Sequence, residues 1–419
     1  MLAAAATAAL TSLVAVSGAA APPPTDDKAA TARWMAAHIE WGSLSTTSSR
    51  SQGIEVGDPF GNPYSFADVD GVPYFYASGL DASIIDINAG ADRVTLALSE
   101  AALQANNGTE VLSACEIGAG TFGDPENPPC ARLVLSGKWE KVEDTKEVAD
   151  AKAALFKRHP SFKLLPSGGF HNFFVGKIVL DGVWLIDFYG GPAIISPKDY
   201  FAANASASSK QHPTTTATSS SSLLATAPPA GPPSPKLPIA TARWMVDAMN
   251  YGFLVTKSSR SDGSHIGDAF GNPYAFANVK GVPYFYGTDL DASMIDLFQG
   301  KSSRASFALS EASYPEAILN ACKIGTLMGD PENPPCARLV LSGEMSKVKV
   351  NSTEDETAKA ALFKKHPSFK NLPAGHGFYA LKMEIDGIWL ISHYGGAAII
   401  KPDDYFKGVD AENDFKIVV

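Results

Sequence analysis

The chain is poor in the features that mark most enzymes and membrane proteins. After residue 21 no apolar run approaches the ~20 residues a bilayer-spanning helix needs. Lys and Arg form no cluster and the formal charge is −10, which argues against binding nucleic acid through phosphate neutralisation. There is no G-x-S-x-G elbow to present a nucleophilic serine. Cysteine is confined to four positions, with no C-x-x-C among them.

What the chain does have, it has twice. Thr31 to Phe201 reappears, slightly edited, as Thr241 to Phe406, from TARWM through SSRS, FGNPY, GVPYFY, LDAS, ALSEA, GDPENPPCARLVLSG and AKAALFK to YGG. A period near 210 residues is far longer than a solenoid or propeller unit, so the repeating unit is a whole domain. The expected organisation is a signal peptide at 1–21, a short segment at 22–30, a first domain at 31–203, a linker at 204–238 and a second domain at 239–419. The first 21 residues are apolar and end in small residues, as secretory signals do, although no Lys or Arg precedes the apolar run. The alternative is an Ala-rich start. More than half of residues 204–238 are Ser, Thr or Pro, a flexible segment open to O-glycosylation and spanning roughly 30 Å. The two domains can therefore reach each other.

Cys115 with Cys130, and Cys322 with Cys336, each bracket the GDPENPP segment. One local disulfide per domain is expected, closing a loop worth about 3 kcal/mol; zinc is the competing reading and would need ligands from elsewhere. Sequons at Asn107, Asn204 and Asn351 agree with a secreted glycoprotein.

The patterns within a copy are mostly β. Strands are expected at Ser43–Ser49, Val72–Ser78, Arg93–Ser99 and Ala131–Val142. Phe173–Leu180 and Val183–Phe188 flank Asp181-Gly182, and Asp386-Gly387 repeats the dipeptide, so a type I′ hairpin is expected there. Helices are expected at Ala32–Trp41 and Thr145–Arg158, with Thr353 and Glu356 at capping-box spacing in the second copy. About six antiparallel strands with two peripheral helices predict a closed or partly closed barrel.

Several motifs invite a site. Gly118 to Gly123 spells G-x-G-x-x-G but leads into DPENPPC, and the second copy loses the first glycine, so it reads as a turn. His159 and His366, each before a proline at a helix end, read as capping or packed residues in the absence of a paired nucleophile. Asp124 with Glu126, and Asp330 with Glu332, read as solvated loop acids with too few donors for calcium. No metal site and no catalytic residue is expected. Arg50 and Arg260 follow runs of hydroxyls at Ser45–Ser49 and Thr256–Ser259 that could cradle a phosphate; the competing reading is a solvated strand end. Tyr74, Tyr76, Tyr284 and Tyr286 would alternate on strands and pack in a core or interface.

The ordered set W-G-S-L-S-T, GVPYFY, LDAS, LSG, LF-K-R/K-HP and W-L-I-x-x-YGG with P-x-D-Y resembles the CREG family of secreted glycoproteins over essentially each whole repeat. The resemblance implies a mainly β (α+β) fold: two tandem split β-barrels of the FMN-binding, pyridoxamine 5′-phosphate oxidase type with peripheral helices. It also implies a dimerising protein of the secretory and endolysosomal route, active through a receptor or other glycoprotein partner and generally without FMN. The cysteine pair sits where that family carries one, in a longer loop. The tandem departs from the family pattern and suggests that the two copies form one pseudo-dimer. The alternative is an FMN-dependent oxidoreductase with its flavin between the domains and Arg50 and Arg260 at the phosphate. Against it, LDASIID and LDASMID bring two acids to where that anion would lie.

Overall fold

The computed structural model describes residues 26–105, 114–165, 171–205, 232–234, 236–314, 321–326, 328–408 and 417–418. The expected signal peptide, Asn107 and most of the linker lie outside the described residues.

In the first copy, α1 (Lys28–His38) starts where the Asp27 carboxylate accepts from the Ala30 amide, and it ends before β1 (Trp41–Thr47). There follow β2 (Pro59–Ser65), β3 (Ala67–Val69), β4 (Val72–Ala77), α2 (Ala82–Asn88), β5 (Arg93–Ser99), β6 (Arg132–Lys141), α3 (Thr145–Arg158), β7 (Phe174–Ile186), β8 (Ala193–Ile195) and α4 (Pro197–Ala202). The sheet order is β2-β1-β5-β6-β7-β4-β3, with β8 on β7, and the pairings are antiparallel. β2 and β3 hold opposite edges of this sheet, yet only Phe66 separates them in sequence. The sheet must therefore curl until its edges meet, which makes the split barrel.

The second copy repeats the plan with α5 (Pro238–Ala248), β9 (Tyr251–Lys257), β10 (Ala269–Ala275), β11 (Ala277–Val279), β12 (Val282–Gly287), α6 (Ala292–Phe298), β13 (Arg304–Ser310), β14 (Arg338–Lys347), α7 (Thr353–Lys365), β15 (Tyr379–Ile391), β16 (Ala397–Ile399) and α8 (Pro402–Lys407). Its order is β10-β9-β13-β14-β15-β12-β11, strand for strand the same.

One strand goes beyond the sequence reading and two local expectations are revised. The FGNPY segment lies within β2 and again within β10; two prolines and a glycine in the seven residues of β2, and one of each in β10, conceal a strand, tolerated because at a sheet edge the missing proline N–H breaks no ladder bond. Asp181-Gly182 makes no hairpin. β7 runs straight through it, with a register shift opposite Ser136 and Gly137 that leaves Asp181 unpaired as a bulge, and β15 does the same at Asp386. The cap of α7 is Ser352, accepting from the Asp355 amide at 3.2 Å, one position before the spacing read from Thr353 and Glu356.

Tyr74 and Tyr76 alternate onto one face of β4 and pack under α3, where Tyr76 stacks on Phe173 at 5.1 Å between centroids. Tyr284 and Tyr286 do so under α7. The main apolar core is continuous between copies. Trp41 meets Phe253, Phe60 meets Trp389 and Trp184 meets Phe270, all edge-on at 5.6–6.0 Å. Gly61 and Gly271 in the two FGNPY strands permit this approach: a Cβ on Gly61 would stand 2.6 Å from Val255 Cγ2, and one on Gly271 would stand 2.8 Å from Ser45 Oγ.

Candidate functional site

The phosphate candidates lie at the end of β1, facing α2. Asp81 caps α2 by accepting from the Ser83 amide, and Asp86 stands further along the same helix, fully buried and turned towards β1. Arg50 donates to it twice, from Nε to Oδ1 at 3.0 Å and from Nη2 to Oδ2 at 2.9 Å. Thr46 Oγ1, the Ser49 amide and Ser49 Oγ donate to the same carboxylate at 3.0, 2.8 and 3.0 Å. The guanidinium also lies 4.2 Å above the Phe60 ring and is only 12% exposed. The second copy repeats the arrangement. Thr256, Ser259 and Arg260 converge on Asp296 at 2.8–3.1 Å, with Arg260 over Phe270.

The strand ends are thus neither solvated nor vacant. Each cradle of hydroxyls, amide and guanidinium is filled by the chain's own carboxylate. A phosphate would have to displace Asp86 or share its donors; at an effective dielectric near 20 and ~4 Å, that like-charge contact costs about 4 kcal/mol. The residues present do not fit an FMN phosphate.

A second set of polar residues crosses between the copies. His159 caps α3 and is fully buried; its Nδ1 lies 2.7 Å from Asp330 Oδ2 of the other copy and its Nε2 lies 2.9 Å from the Phe66 carbonyl. His366 does the same with Asp124 and Phe276 at 2.7 and 3.0 Å. Each imidazole is thus held at both ring nitrogens by an oxygen, one from its own copy and one from the other. Glu332 accepts from the Ser65 amide and Glu126 from the Ala275 amide, again across copies. Arg338 reaches Asn62 and the Pro63 carbonyl, and Arg132 reaches Asn272 and the Pro273 carbonyl, at 3.3–3.5 Å.

The reading of Asp124, Glu126, Asp330 and Glu332 as solvated loop acids is therefore wrong. Asp124 and Asp330 are fully buried, and burial pushes the Glu126 and Glu332 carboxyls well above their ordinary range, with Arg132 and Arg338 opposing. The available signal was the letter-for-letter identity of GDPENPPCARLVLSG in the two copies, unusual for a Pro-rich loop unless both ends of it are held. His159 and His366 are packed residues with no access for a substrate.

Cys115 and Cys130 are bonded at 2.00 Å, and Cys322 and Cys336 at 2.03 Å, all buried. With their sulfurs joined, neither pair offers thiolates to zinc. Beside each pair lies a buried glutamate, Glu100 or Glu311, with a carboxylate oxygen within 4.8 Å of the sulfurs. Burial pushes both carboxyls up to about 7, against one backbone amide donor each, from Ala131 and Ala337. Asn204 and Asn351 are exposed.

A family model described as "CREG, beta-barrel" matches residues 23–202 and again 233–407. Human CREG2 is 37% identical over 185 residues, 43% of this chain and 59% of its own length, so the chain spans about three fifths of that relative. Chicken CREG1 is 31% identical over 182 residues, 42% of this chain and 88% of its own length. Among solved structures, a heme binding protein from Mycobacterium smegmatis aligns with a TM-score of 0.33 at 20% identity, over 44% of this chain and 62% of that one. A FAD-binding protein from Mesorhizobium loti aligns with a TM-score of 0.25 at 15% identity, over 37% and 90%.

Proposed function

We infer, from a chain that belongs to the CREG family in both of its copies, a non-catalytic binding protein of the secretory or endolysosomal route. Its domains, at 31–203 and 239–419 around the linker at 204–238, form one intramolecular pseudo-dimer. The observation that carries the non-catalytic part is the closure of both anion cradles by Asp86 and Asp296. Each is a buried carboxylate whose charge is already met by a bidentate arginine, an arrangement that stabilises a barrel and leaves no charge for a cofactor phosphate. The reciprocal contacts of His159 with Asp330 and His366 with Asp124 support the pairing of copies. Two buried disulfides, the exposed Asn204 and Asn351, and the absence among the described residues of a helix long and apolar enough to cross a membrane support passage through the secretory pathway as a glycoprotein. Binding to a receptor or other glycoprotein follows from the family reading.

The test is an absorbance and fluorescence spectrum of the purified secreted protein, before and after adding FMN. No flavin band and no saturable quenching are expected. Flavin that co-purifies, or quenching that saturates at micromolar FMN, would overturn the reading in favour of an oxidoreductase. Asp86→Ser serves as the control: it vacates the cradle, and phosphate should then raise its melting temperature while leaving that of the wild type unmoved. Light scattering after size exclusion tests the pairing, with a compact monomer expected and an extended one counting against it.

A further inference from the structure

The first copy holds a cavity of about 400 Å³ lined by Gly79, Asn88, Trp139, Lys141, Asn172 and Phe174. It lies away from the cross-copy contacts, where the end of β4, the end of α2, the end of β6 and the start of β7 come together. Trp139 is its fixed wall. The indole lies flat against β7 because position 176 is glycine, where a Cβ would stand 2.1 Å from Trp139 Cζ2, and behind it the ring rests on Phe75 at 5.2 Å. Phe174 is the half-buried second wall. Lys141, itself exposed at the rim, stands over it with Nζ 5.4 Å from the ring centroid, and among the described residues it has no ion-pair partner. Asn88 and Asn172 are exposed at the rim, and Gly79 has open space where a side chain would project.

The second copy suggests what this arrangement accepts, because there the protein's own side chains make contacts that the first copy lacks. Gly79 is matched by Asp289, Asn88 by Phe298, Trp139 by Met345, Lys141 by Lys347 and Phe174 by Tyr379. Asp289 takes the lysine ammonium at 2.8 Å and the Tyr379 hydroxyl at 2.6 Å. The Phe298 ring lies 4.7 Å from Lys347 Nζ and edge-on to Tyr379 at 6.3 Å. Carboxylate and ring thus share one ammonium, and their separation is at most the sum of their distances to it. The lysine and an aromatic wall persist in the first copy, while the carboxylate and the ring that satisfy them are the two groups removed.

We propose that the cavity of the first copy binds a small aryl carboxylate, one molecule per chain. Its ring takes the place of Phe298 against Trp139 and Phe174, and its carboxylate takes the place of Asp289 on Lys141. The cavity volume suits a ligand of that size. A charge-assisted hydrogen bond to the ammonium sets orientation, and the aromatic walls supply most of the buried area. The amides of Asn88 and Asn172 can hydrogen-bond substituents on the ring edge. The inference is independent of the flavin question, since no residue of the anion cradle or of the cross-copy contacts lines this cavity.

The probe is 3-phenylpropanoate, titrated into the full chain by calorimetry, with ligand-observed NMR as a second reading. Saturable binding with a stoichiometry of one is expected. Lys141→Met should weaken it by about 2- to 5-fold, the worth of an exposed, solvent-screened ion pair. Gly79→Asp combined with Asn88→Phe installs the second copy's plug and should abolish binding; both positions are exposed, so the melting temperature should hold. Propanoate, which lacks the ring, should bind far more weakly, and 3-phenylpropanol, which lacks the charge, a few-fold more weakly. No saturable binding by the wild type, binding that survives the plug, or tighter binding of glucuronate than of 3-phenylpropanoate would each overturn the proposal.

Discussion

The two copies are most alike where they face each other and least alike where they face away. Along the shared surface the central polar contacts recur in both directions with the residue types kept: His159 with Asp330 and His366 with Asp124, Arg338 with Asn62 and Arg132 with Asn272. At the outer end of the barrel the first copy has an open cavity, while in the second a carboxylate and a ring of the protein sit on the matching lysine. A residue at a pseudo-two-fold surface is constrained twice, by its own domain and by the partner it must match. A residue at the outer end answers only to its own fold, so a duplicated domain can keep its pairing and still become unequal in what it binds.

The comparison is broken most severely at the buried histidines. Asp330→Ala leaves His159 buried with Nδ1 facing no acceptor, and losing one partner of such a pair costs about 3–5 kcal/mol. Asp124→Ala should cost somewhat less, because the Ser65 hydroxyl also donates to Asp330 while Ala275, in the matching place, offers Asp124 no hydroxyl. Urea denaturation of both variants measures this, and equal losses would show that the extra hydroxyl contact adds nothing to stability. Next come the closed cradles. Asp86→Ala strands Arg50, and Asp296→Ala strands Arg260, each over an aromatic ring and each at a cost of about 3 kcal/mol. Added phosphate should recover part of the loss in either copy, read as a rise in melting temperature.

A third difference is one of pH. The Glu100 and Glu311 carboxyls, pushed up to about 7, are protonated in the native state where an unfolded chain would already have released its protons. A raised acid contributes stability that is full below its ordinary range and lost as pH rises through its native value, here between about pH 4.5 and 7. The ceiling is about 3 kcal/mol per group. Glu126 and Glu332 act with the same sign. The protein should therefore melt higher at pH 5 than at pH 8, and Glu100→Gln and Glu311→Gln should flatten that slope by equal steps. A slope untouched by both substitutions would remove these glutamates from the account.

Much of this architecture was legible in the sequence, and the misses share one cause. α3 falls on Thr145–Arg158 as the Ala/Lys/Glu pattern predicts, and the cysteine spacing marks both disulfides. β2 was hidden because prolines forbidden in a central strand are tolerated at an edge, and nothing local says which strand is the edge. Asp181-Gly182 carries every local mark of a turn, yet β6 continues alongside and holds the chain extended. The acids of DPEN look solvated until a second barrel covers them. Local chemistry sets elements, but edges, bulges and buried charges depend on a partner hundreds of residues away. Arg50 was recognised as an anion binder and LDASIID as unwelcoming; that the one answers the other needed α2, whose seven residues left too short a pattern to read.

The smallest expected effect is the most discriminating, because it compares nearly equal sites. Arg93 spans Asp181, the bulge residue of its own copy, and Asp268 of the other at 2.8 and 2.9 Å; Arg304 spans Asp386 and Asp58 at 2.7 Å each. The bulge thus has a structural use, since it turns its aspartate towards the arginine that also reaches the other copy. The third neighbour differs. His265 Nε2 lies 3.2 Å from Asp181, whereas in the corresponding place Glu55 lies 3.6 Å from Arg304. Removing Arg304 leaves three carboxylates together with no cation. Removing Arg93 leaves two, with an imidazole beside them that can donate a hydrogen bond. Both arginines are partly exposed, so screening keeps the costs small: about 1 kcal/mol for Arg304→Ala and about half that for Arg93→Ala. Raising the salt concentration to about 0.5 M shortens the Debye length and should shrink the gap. A gap that persists in salt would trace the asymmetry to packing, and Glu55→His in the Arg304→Ala background should close it if charge is the cause.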